Sequence, residues 1–494
     1  MSDGSISFNQ IPVDLLTPGQ YVEFDNSKAI NAPVNMPQRI LLIGQSLATG
    51  TGAANVPLQV SGKTAGIAAF GRGSIGAAMI ASLFDVTDTI ETWIVPVPDN
   101  GAGTAATGTI TITGAATQAG TLNLYIGEDV VQVAVATTDT VAVIAAALAA
   151  AINAKPDLVV TAASAGGVVT VTARHKGALT NDLMMQLNYY PMSEATPAGL
   201  GVAIVQMNGG TADPSIATAL ANIGAVQYNT IIMPFNDAAN LGLMETEANN
   251  RWGPLYQNDG HCHSAVRGTV GSLNTLLAAR NNPHITLWTC ETGGEPGPVW
   301  EKAVLAGAVS AYYLAIDPAR PLQTLVLPTR LPAPAAKRWL RSERNNILSY
   351  GGATTVVDNG GNVVIERAVT NYKTNASGTV DPSYRDIETM YTLSLMRYQV
   401  RARIAQRFPR HKLVDDTTPV APGQAVAAPK DIKAELIALG LDWVDAGLME
   451  NIEQFKADLL VLRNKNDRNR VDVRLPPDLV NQFRVFAAQV QFRL

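Results

Sequence analysis

The densest group of reactive side chains is Asp259-Gly-His261-Cys262-His263, with His284 and Cys290 downstream. Imidazole and thiolate bind metals when their spacing brings them to one turn or one face, as in C-x-x-C or H-x-x-x-H. Alternating His-Cys-His does not converge on one ion without help from elsewhere, so these residues read as core or loop positions. Gly71, Gly73 and Gly76 match G-x-G-x-x-G, with Glu91 further on. A dinucleotide site needs that turn directly after a strong strand, and residues 65–70, Ala-Gly-Ile-Ala-Ala-Phe, read as a weak one. Ile40-Leu-Leu-Ile-Gly-Gln-Ser46-Leu-Ala48 is a strand feeding a serine, the layout of a nucleophile elbow. A helix should follow at once; Thr49-Gly-Thr-Gly52 follows instead, without the lysine of a phosphate loop. These motifs therefore assign no catalytic residue, cofactor or metal. A hydrolase around Ser46 or His263, on an α/β domain with an accessory insertion, stands as the alternative function.

Composition sets the frame for whatever positions these residues. The chain has 494 residues, 47% hydrophobic and 16% charged, with a formal net charge of -5. At roughly 100–200 residues per domain this gives about three domains, each able to bury a core. The mild acidity lacks the basic face of a general nucleic-acid binder. Two cysteines make no disulfide framework and point to a reducing compartment. The first residues lack the basic and apolar regions of a signal peptide, and no uninterrupted apolar run has the length of a membrane span. The reading is a soluble protein made inside the cell, without membrane insertion.

The fold class expected is α/β multidomain. It has a mostly parallel α/β core with helices on both faces, an inserted small α+β domain, and extended N- and C-terminal strand arms. Residues 1–37 form an arm, since Pro12, Pro18, Pro33 and Pro37 deny it a helix. Its segment 20–24, with Tyr21, Val22 and Phe24, alternates like an edge strand. Residues 38–100 open the core with a buried-type strand at 39–44, an apolar helix through Met79, Ile80 and Leu83, and a strand at 93–98. The prolines of that last strand suggest that it leaves the sheet or lies at its edge. Residues 101–200 turn to Ala, Gly, Thr and Val with few charges, the composition of a peripheral insertion. Strands fall at 109–113, 122–126, 130–135, 159–162 and 168–173, around a helix at 140–153 capped by Thr138 or Asp139. Excising about residues 101–197 is expected to leave assembly intact.

Residues 201–380 resume the alternation, with helices at 216–223, 244–257, 264–281 and 300–316 and strands at 230–234 and 284–289. A hairpin turning at 359–361 closes them, and the pattern is that of a parallel sheet between helices. Residues 381–494 begin with a long helix, Asp381 at its cap and Pro382 in its first turn, running to Phe408. After a linker at 417–429 a helix pair follows. The second helix carries Met449, Ile452, Phe455, Leu459 and Leu462 on one stripe, with Lys456 and Arg463 off it. Arg397, Arg401, Arg403, Arg407, Arg410 and Lys412 crowd the end of the long helix, where cations suit the dipole and a solvated face. They could also form a basic strip for an acidic partner.

At the C-terminal end Phe486, Ala488, Val490, Phe492 and Leu494 alternate with Gln489, Gln491 and Arg493. That is a strand with one dry face. A terminal strand stays ordered only if a sheet captures it, either the chain's own or a neighbour's through strand addition.

Several stretches together resemble one family. They are Asp317-Pro-Ala-Arg-Pro-Leu-Gln-Thr324, Asn359-Gly-Gly-Asn-Val-Val-Ile-Glu-Arg-Ala-Val-Thr370, Asp381-Pro-Ser-Tyr-Arg-Asp-Ile387 and Arg407-Phe-Pro-Arg-His-Lys-Leu413, together with the ending 469–482 and the early Phe70-Gly-Arg-Gly-Ser74. The ensemble resembles tail sheath proteins of contractile-tailed, Mu-like bacteriophages over nearly the whole chain, least distinctively at 101–200. The resemblance implies a structural subunit of the virion, not an enzyme. It implies stacked six-membered rings around a tail tube, which contract to drive the tube through the host envelope. Its implied partners are further copies of itself, the tail tube, baseplate and tail terminator proteins, with assembly in the host cytoplasm. The middle domain would be subtilisin-like without a catalytic triad carried over. The terminal arms would link subunits, and Arg397, Arg401, Arg403, Arg407, Lys456 and Arg463 are the expected tube contacts.

Overall fold

A computed structural model describes residues 16–23, 35–421 and 423–493. Phe24 and Leu494, both expected in strand arms, lie outside them. Strand β1 (Arg39–Ser46) is apolar from Ile40 to Gly44 and buried on both faces, as the centre of a parallel sheet requires. β2 (Leu58–Val60) precedes helix α1 (Lys63–Phe70), so residues 65–70 are helix and not the weak strand their apolar run suggests. Three alanines there favour the helix. Helix α2 (Ile75–Val86) starts at Ser74, whose hydroxyl accepts from the Ala77 N–H at 2.9 Å. β3 (Glu91–Pro98) pairs in parallel with all of β1. β2 covers its other side at Thr92–Ile94, while Pro96 and Pro98 lie past the end of β2, where β3 is the edge of the sheet.

A second set of sheets follows before the main one resumes. It comprises β4 (Ala105–Gly114), β5 (Gly120–Ile126), β6 (Asp129–Val135), α3 (Val141–Asn153), β7 (Val160–Ala165), β8 (Val168–Lys176), β9 (Met185–Leu187) and β10 (Leu200–Asn208). The strands run β10-β4-β8-β7 in one sheet and β6-β5-β9 in the other. The cap of α3 is Thr140, accepting from Val143 N–H at 3.3 Å, rather than Thr138 or Asp139. The boundary expected at 200 falls on the first residue of β10, which pairs with β4 and so belongs to this module.

The main sheet then takes up α4 (Ala217–Asn222), β11 (Thr230–Ile232), α5 (Ala238–Trp252), β12 (His261–Gly268), α6 (Val270–Ala278) and β13 (Ile285–Glu291). It ends with α7 (Val299–Ile316), α8 (Arg341–Ser349), β14 (Gly352–Val357) and β15 (Val363–Arg367). Its order is β15-β14-β13-β12-β11-β1-β3-β2, parallel from β14 to β3 and antiparallel at both ends. Residues 264–281 are not one helix: their first part belongs to β12. Flanked by β11 and β13 and buried on both faces, β12 shows no alternation that would mark it as a strand. Among the described residues α7 is long and apolar enough to cross a membrane, yet 72% of it is buried in this core.

Helix α9 (Ile387–Arg407) begins six residues after Asp381, so neither Asp381 nor Pro382 starts it. Beyond it come β16 (Lys412–Leu413), β17 (Val426–Ala427), α10 (Pro429–Asp445), β18 (Met449–Glu450), α11 (Ile452–Asp458), β19 (Leu460–Arg463), β20 (Val471–Arg474) and β21 (Asp478–Leu479). The amphipathic helix expected through Leu462 stops at Asp458, and Leu462 and Arg463 sit in β19 instead. The chain divides into two compact units. One holds Pro37–Met396 with Val480–Leu494, and so contains both the main sheet and the β4–β10 module. The other holds Arg397–Leu479 with Met1–Met36. The second unit centres on Trp443, whose indole N–H donates to Gln399 Oε1 at 2.7 Å and whose ring meets Phe455 edge-on.

Candidate functional site

The reactive-looking cluster is core. His261, Cys262 and His263 lie in β12, and all three are buried. Trp288 donates its indole N–H to His263 Nδ1 at 3.1 Å, and His261 Nε2 meets the Thr286 hydroxyl at 2.8 Å. Burial pushes the His263 imidazole down to about 3, and burial with the neighbouring His263 and His284 takes His261 well below its ordinary value. Burial also raises both thiols, Cys290 to about 12. An imidazole whose basicity burial has lowered this far is a weak general base, and a protonated thiol is a weak nucleophile. No group of three or more potential metal ligands occurs among the described residues.

The glycine-rich turn follows a helix, not a strand, and the amides of Gly71, Ser74, Ile75 and Ala77 already have partners within the protein. His175 of β8 accepts the Ile75 N–H on Nε2 at 3.1 Å, which places its hydrogen on Nδ1, facing Asp99 Oδ1 at 2.7 Å. Gln45 donates to the same Asp99 oxygen and to Lys176 C=O, both at 2.7 Å. Gly73 has φ +80, and a Cβ there would stand 2.7 Å from Pro156 C=O, so the turn is shaped to receive the β4–β10 module. The supposed phosphate turn and the residue before Ser46 are thus one half of a joint.

The other half is a buried charge cluster. Glu295 accepts from Lys302 at 3.1 Å and from Arg330 Nη2 at 2.8 Å. Burial opposes its ionisation, but Lys302, Arg330 and Arg267 outweigh that and hold the carboxyl far below the usual range. The module contributes two carboxylates. Asp182 accepts from Arg267 Nε at 2.7 Å and from the first N–H of α7, Val299, at 2.9 Å. Glu128 accepts from Leu331 N–H at 2.8 Å beside the Arg330 guanidinium. Sequence reading finds none of this, because apart from Lys302, seven residues from Glu295, the partners are 35 to 203 residues apart.

The basic side chains do not form an open strip. Arg403, 13% exposed, pairs with Glu435 at 3.4 Å and with Asp442; Arg407, 45% exposed, reaches Glu435 at 3.2 Å. They join the end of α9 to α10. Arg397 and Arg401 engage partners as well. Lys456 on α11 pairs with Glu453 and Arg463 on β19 with Asp415, so the two never share a helix face.

The terminal arms contrast with all of this. Tyr21 and Val22 are exposed and in no strand, the Tyr21 hydroxyl donating to Thr17. Among the described residues no strand pairs with residues 485–493, and Phe486, Val490 and Phe492 are 80%, 83% and 79% exposed; Ala488 is exposed too. Just before them Arg484 is pinned, donating to Glu388 at 2.9 Å beside Asp386 at 3.2 Å. In the other unit β19 and β20 form a two-stranded sheet among the described residues. The Asn464 N–H to Arg470 C=O bond fixes their alternation, so Val461, Arg463, Val471 and Val473 turn main-chain groups outward. Among the described residues none of these outward groups bonds to other main chain. Leu460, Leu462 and Val473 are exposed around them.

Comparison with known proteins follows this geometry. The phage tail sheath protein central domain model matches residues 209–371, and the phage tail sheath C-terminal domain model matches residues 379–493. The Mu-like prophage FluMu tail sheath protein of Haemophilus influenzae is 42% identical over 490 residues, covering 99% of this chain and 100% of that protein. The contracted PVC sheath complex of an extracellular contractile injection system is similar in fold. It shares 9% identity, covers 96% of this chain and 97% of that one, and gives a TM-score of 0.50.

Proposed function

The chain belongs to the phage tail sheath family, alongside a Mu-like member, and from that premise we propose that its copies are joined by strand addition. It is a structural protein of a contractile tail and not an enzyme. In this reading residues 485–494 of one subunit pair with an outer edge of β19 or β20 of the next. The observation that carries it is the coexistence of an exposed, alternating apolar tail with a two-stranded sheet whose edges pair with no other strand among the described residues. A lone hairpin is marginal in water and gains from a third strand. Main-chain bonds supply affinity while alternate side chains set register. The N-terminal segment with Tyr21, Val22 and Phe24 serves as a second donor.

Contacts of this head-to-tail kind build helical arrays. The subunits then stack as six-membered rings around the tail tube and stay linked as the sheath contracts. The tail tube, baseplate and tail terminator proteins are its partners, and the particle is put together in the host cytoplasm. The grip on the tube falls to the exposed end of α9, at Arg401 and Arg407. A photo-crosslinking residue at Gln491 tests the linkage in assembled protein: adducts should map to residues 460–474 of another copy. Adducts confined to the same chain would refute it.

A further inference from the structure

Strand β7 lies at a sheet edge, and its sequence Val-Thr-Ala-Ala-Ser-Ala has none of the lysines or prolines that commonly blunt one. The Arg174 N–H to Val159 C=O bond sets its alternation against β8, so Val160, Ala162 and Ser164 turn their main-chain groups outward. The middle position is taken. Asn153, the last residue of α3, donates from Nδ2 to Ala162 C=O at 2.8 Å and accepts the Ala162 N–H at 2.9 Å. One amide side chain makes both bonds that an added strand would make. Gln206 repeats the device on Met185, donating at 2.7 Å and accepting at 2.8 Å. There a bulge in β10 between Val205 and Asn208 aims the amide. Met185 is buried, so that seam is closed to anything from outside. At β7, where residues 163–165 are exposed, it is not.

We propose that Asn153 is an assembly-specificity residue, which keeps β7 from accepting the C-terminal tail of a second copy. The proposal rests on the strand-addition reading. Tail and β7 match in the properties that matter: both are short, nearly uncharged and apolar, and neither repels the other. Strands pair at about 4.8 Å, which leaves no room for an intervening side chain. An amide fixed on Ala162 therefore interrupts the ladder between Val160 and Ser164. A polymer that presents many tails at high local concentration needs such wrong edges closed.

The test uses the full chain with the photo-crosslinking residue at Gln491. In Asn153→Ala, adducts on residues 160–165 should rise about tenfold over wild type, the worth of two competing hydrogen bonds, while adducts on 460–474 persist. Asn153→Ser, which cannot span both Ala162 groups, should behave alike and serves if the alanine variant misfolds. Adding Ser164→Pro should remove the new adducts. An unchanged 160–165 signal with the 460–474 adducts intact overturns the proposal. Absence of 460–474 adducts in wild type overturns the reading beneath it instead.

Discussion

Arg484 donates to Glu388 at 2.9 Å, tying the root of the tail to the first turn of α9, 96 residues earlier. Asp386, which lies 3.2 Å from the same guanidinium, is itself held by Arg367 through two bonds of 2.9 Å. The tail thus leaves its subunit from a fixed point, while the residues beyond are exposed. A donor strand anchored at its base reaches a neighbour with less loss of freedom than one that flails from its root.

Replacing Arg484 by methionine leaves Glu388 buried without its cation. Burial already raises that carboxyl and Arg484 pulls it back, so the change should cost roughly 3 kcal/mol in urea unfolding. Adding Glu388→Gln to the same chain should recover part of the loss. Additive losses would mean the two residues do not act as a pair.

Excising residues 101–197 should not be silent, contrary to what the composition of that stretch suggests. It would take Asp182 from Arg267 and from the α7 N-terminus, and Glu128 from beside Arg330. Asp182→Asn alone should cost about 3 kcal/mol. A deletion protein that melts like wild type would show the joint to be unimportant.

The buried histidines set an acid limit. His263 is depressed to about 3, below its ordinary 6.5, so the unfolded chain binds the proton first as pH falls. The stability this neutral ring contributes is present above about pH 6.5 and is lost progressively towards about 3, at 1.36 kcal/mol per unit. Glu291 runs the other way: burial, with Lys302 opposing and Glu295 adding, lifts it to about 7, so its contribution fades from about 4.5 up to about 7. The difference between wild type and His263→Gln isolates the imidazole. It should shrink by about 3 kcal/mol between about pH 6.5 and about 4.5, and a constant difference would contradict the assignment.

Arg403 and Arg407 should separate under substitution by glutamate. Arg403, half-enclosed between Glu435 and Asp442, should lose at least about 2 kcal/mol of stability. The more exposed Arg407 should lose under about 1 kcal/mol. Co-assembly with the tube can then be read from Arg401→Glu and Arg407→Glu, which should weaken it. Equal melting losses at Arg403 and Arg407 would argue against the clamp.

What was legible in the sequence was local. The apolar run of β1 and the pattern of α7 announce themselves, as does the turn at Asn359-Gly-Gly361 before β15. Misreadings arose where burial on both faces erases periodicity. Ser264–Gly268, the second part of β12, passes for the start of a helix because a strand between two parallel neighbours needs no alternation. Leu459 and Leu462 continue the stripe of α11 by coincidence of spacing, although the chain turns into β19 between them. The joint around Glu295 was illegible for a different reason, since its charges meet only after the module has folded back on the main sheet. The tail's alternation has no competing helical reading, yet residues 485–493 are in no strand of the structure, so the strand expected there depends on a partner.

The central claim is that the tail belongs to a neighbour, and truncation tests it most directly. A chain ending at Arg484 keeps every described strand and the Glu388 anchor. Its assembly should be followed by sedimentation and negative-stain microscopy beside wild type, with unfolding monitored in parallel. The account predicts a folded, soluble monomer with a wild-type melt that forms no tubes at any concentration. Tubes formed by the truncated chain, or a chain that unfolds outright, would contradict it.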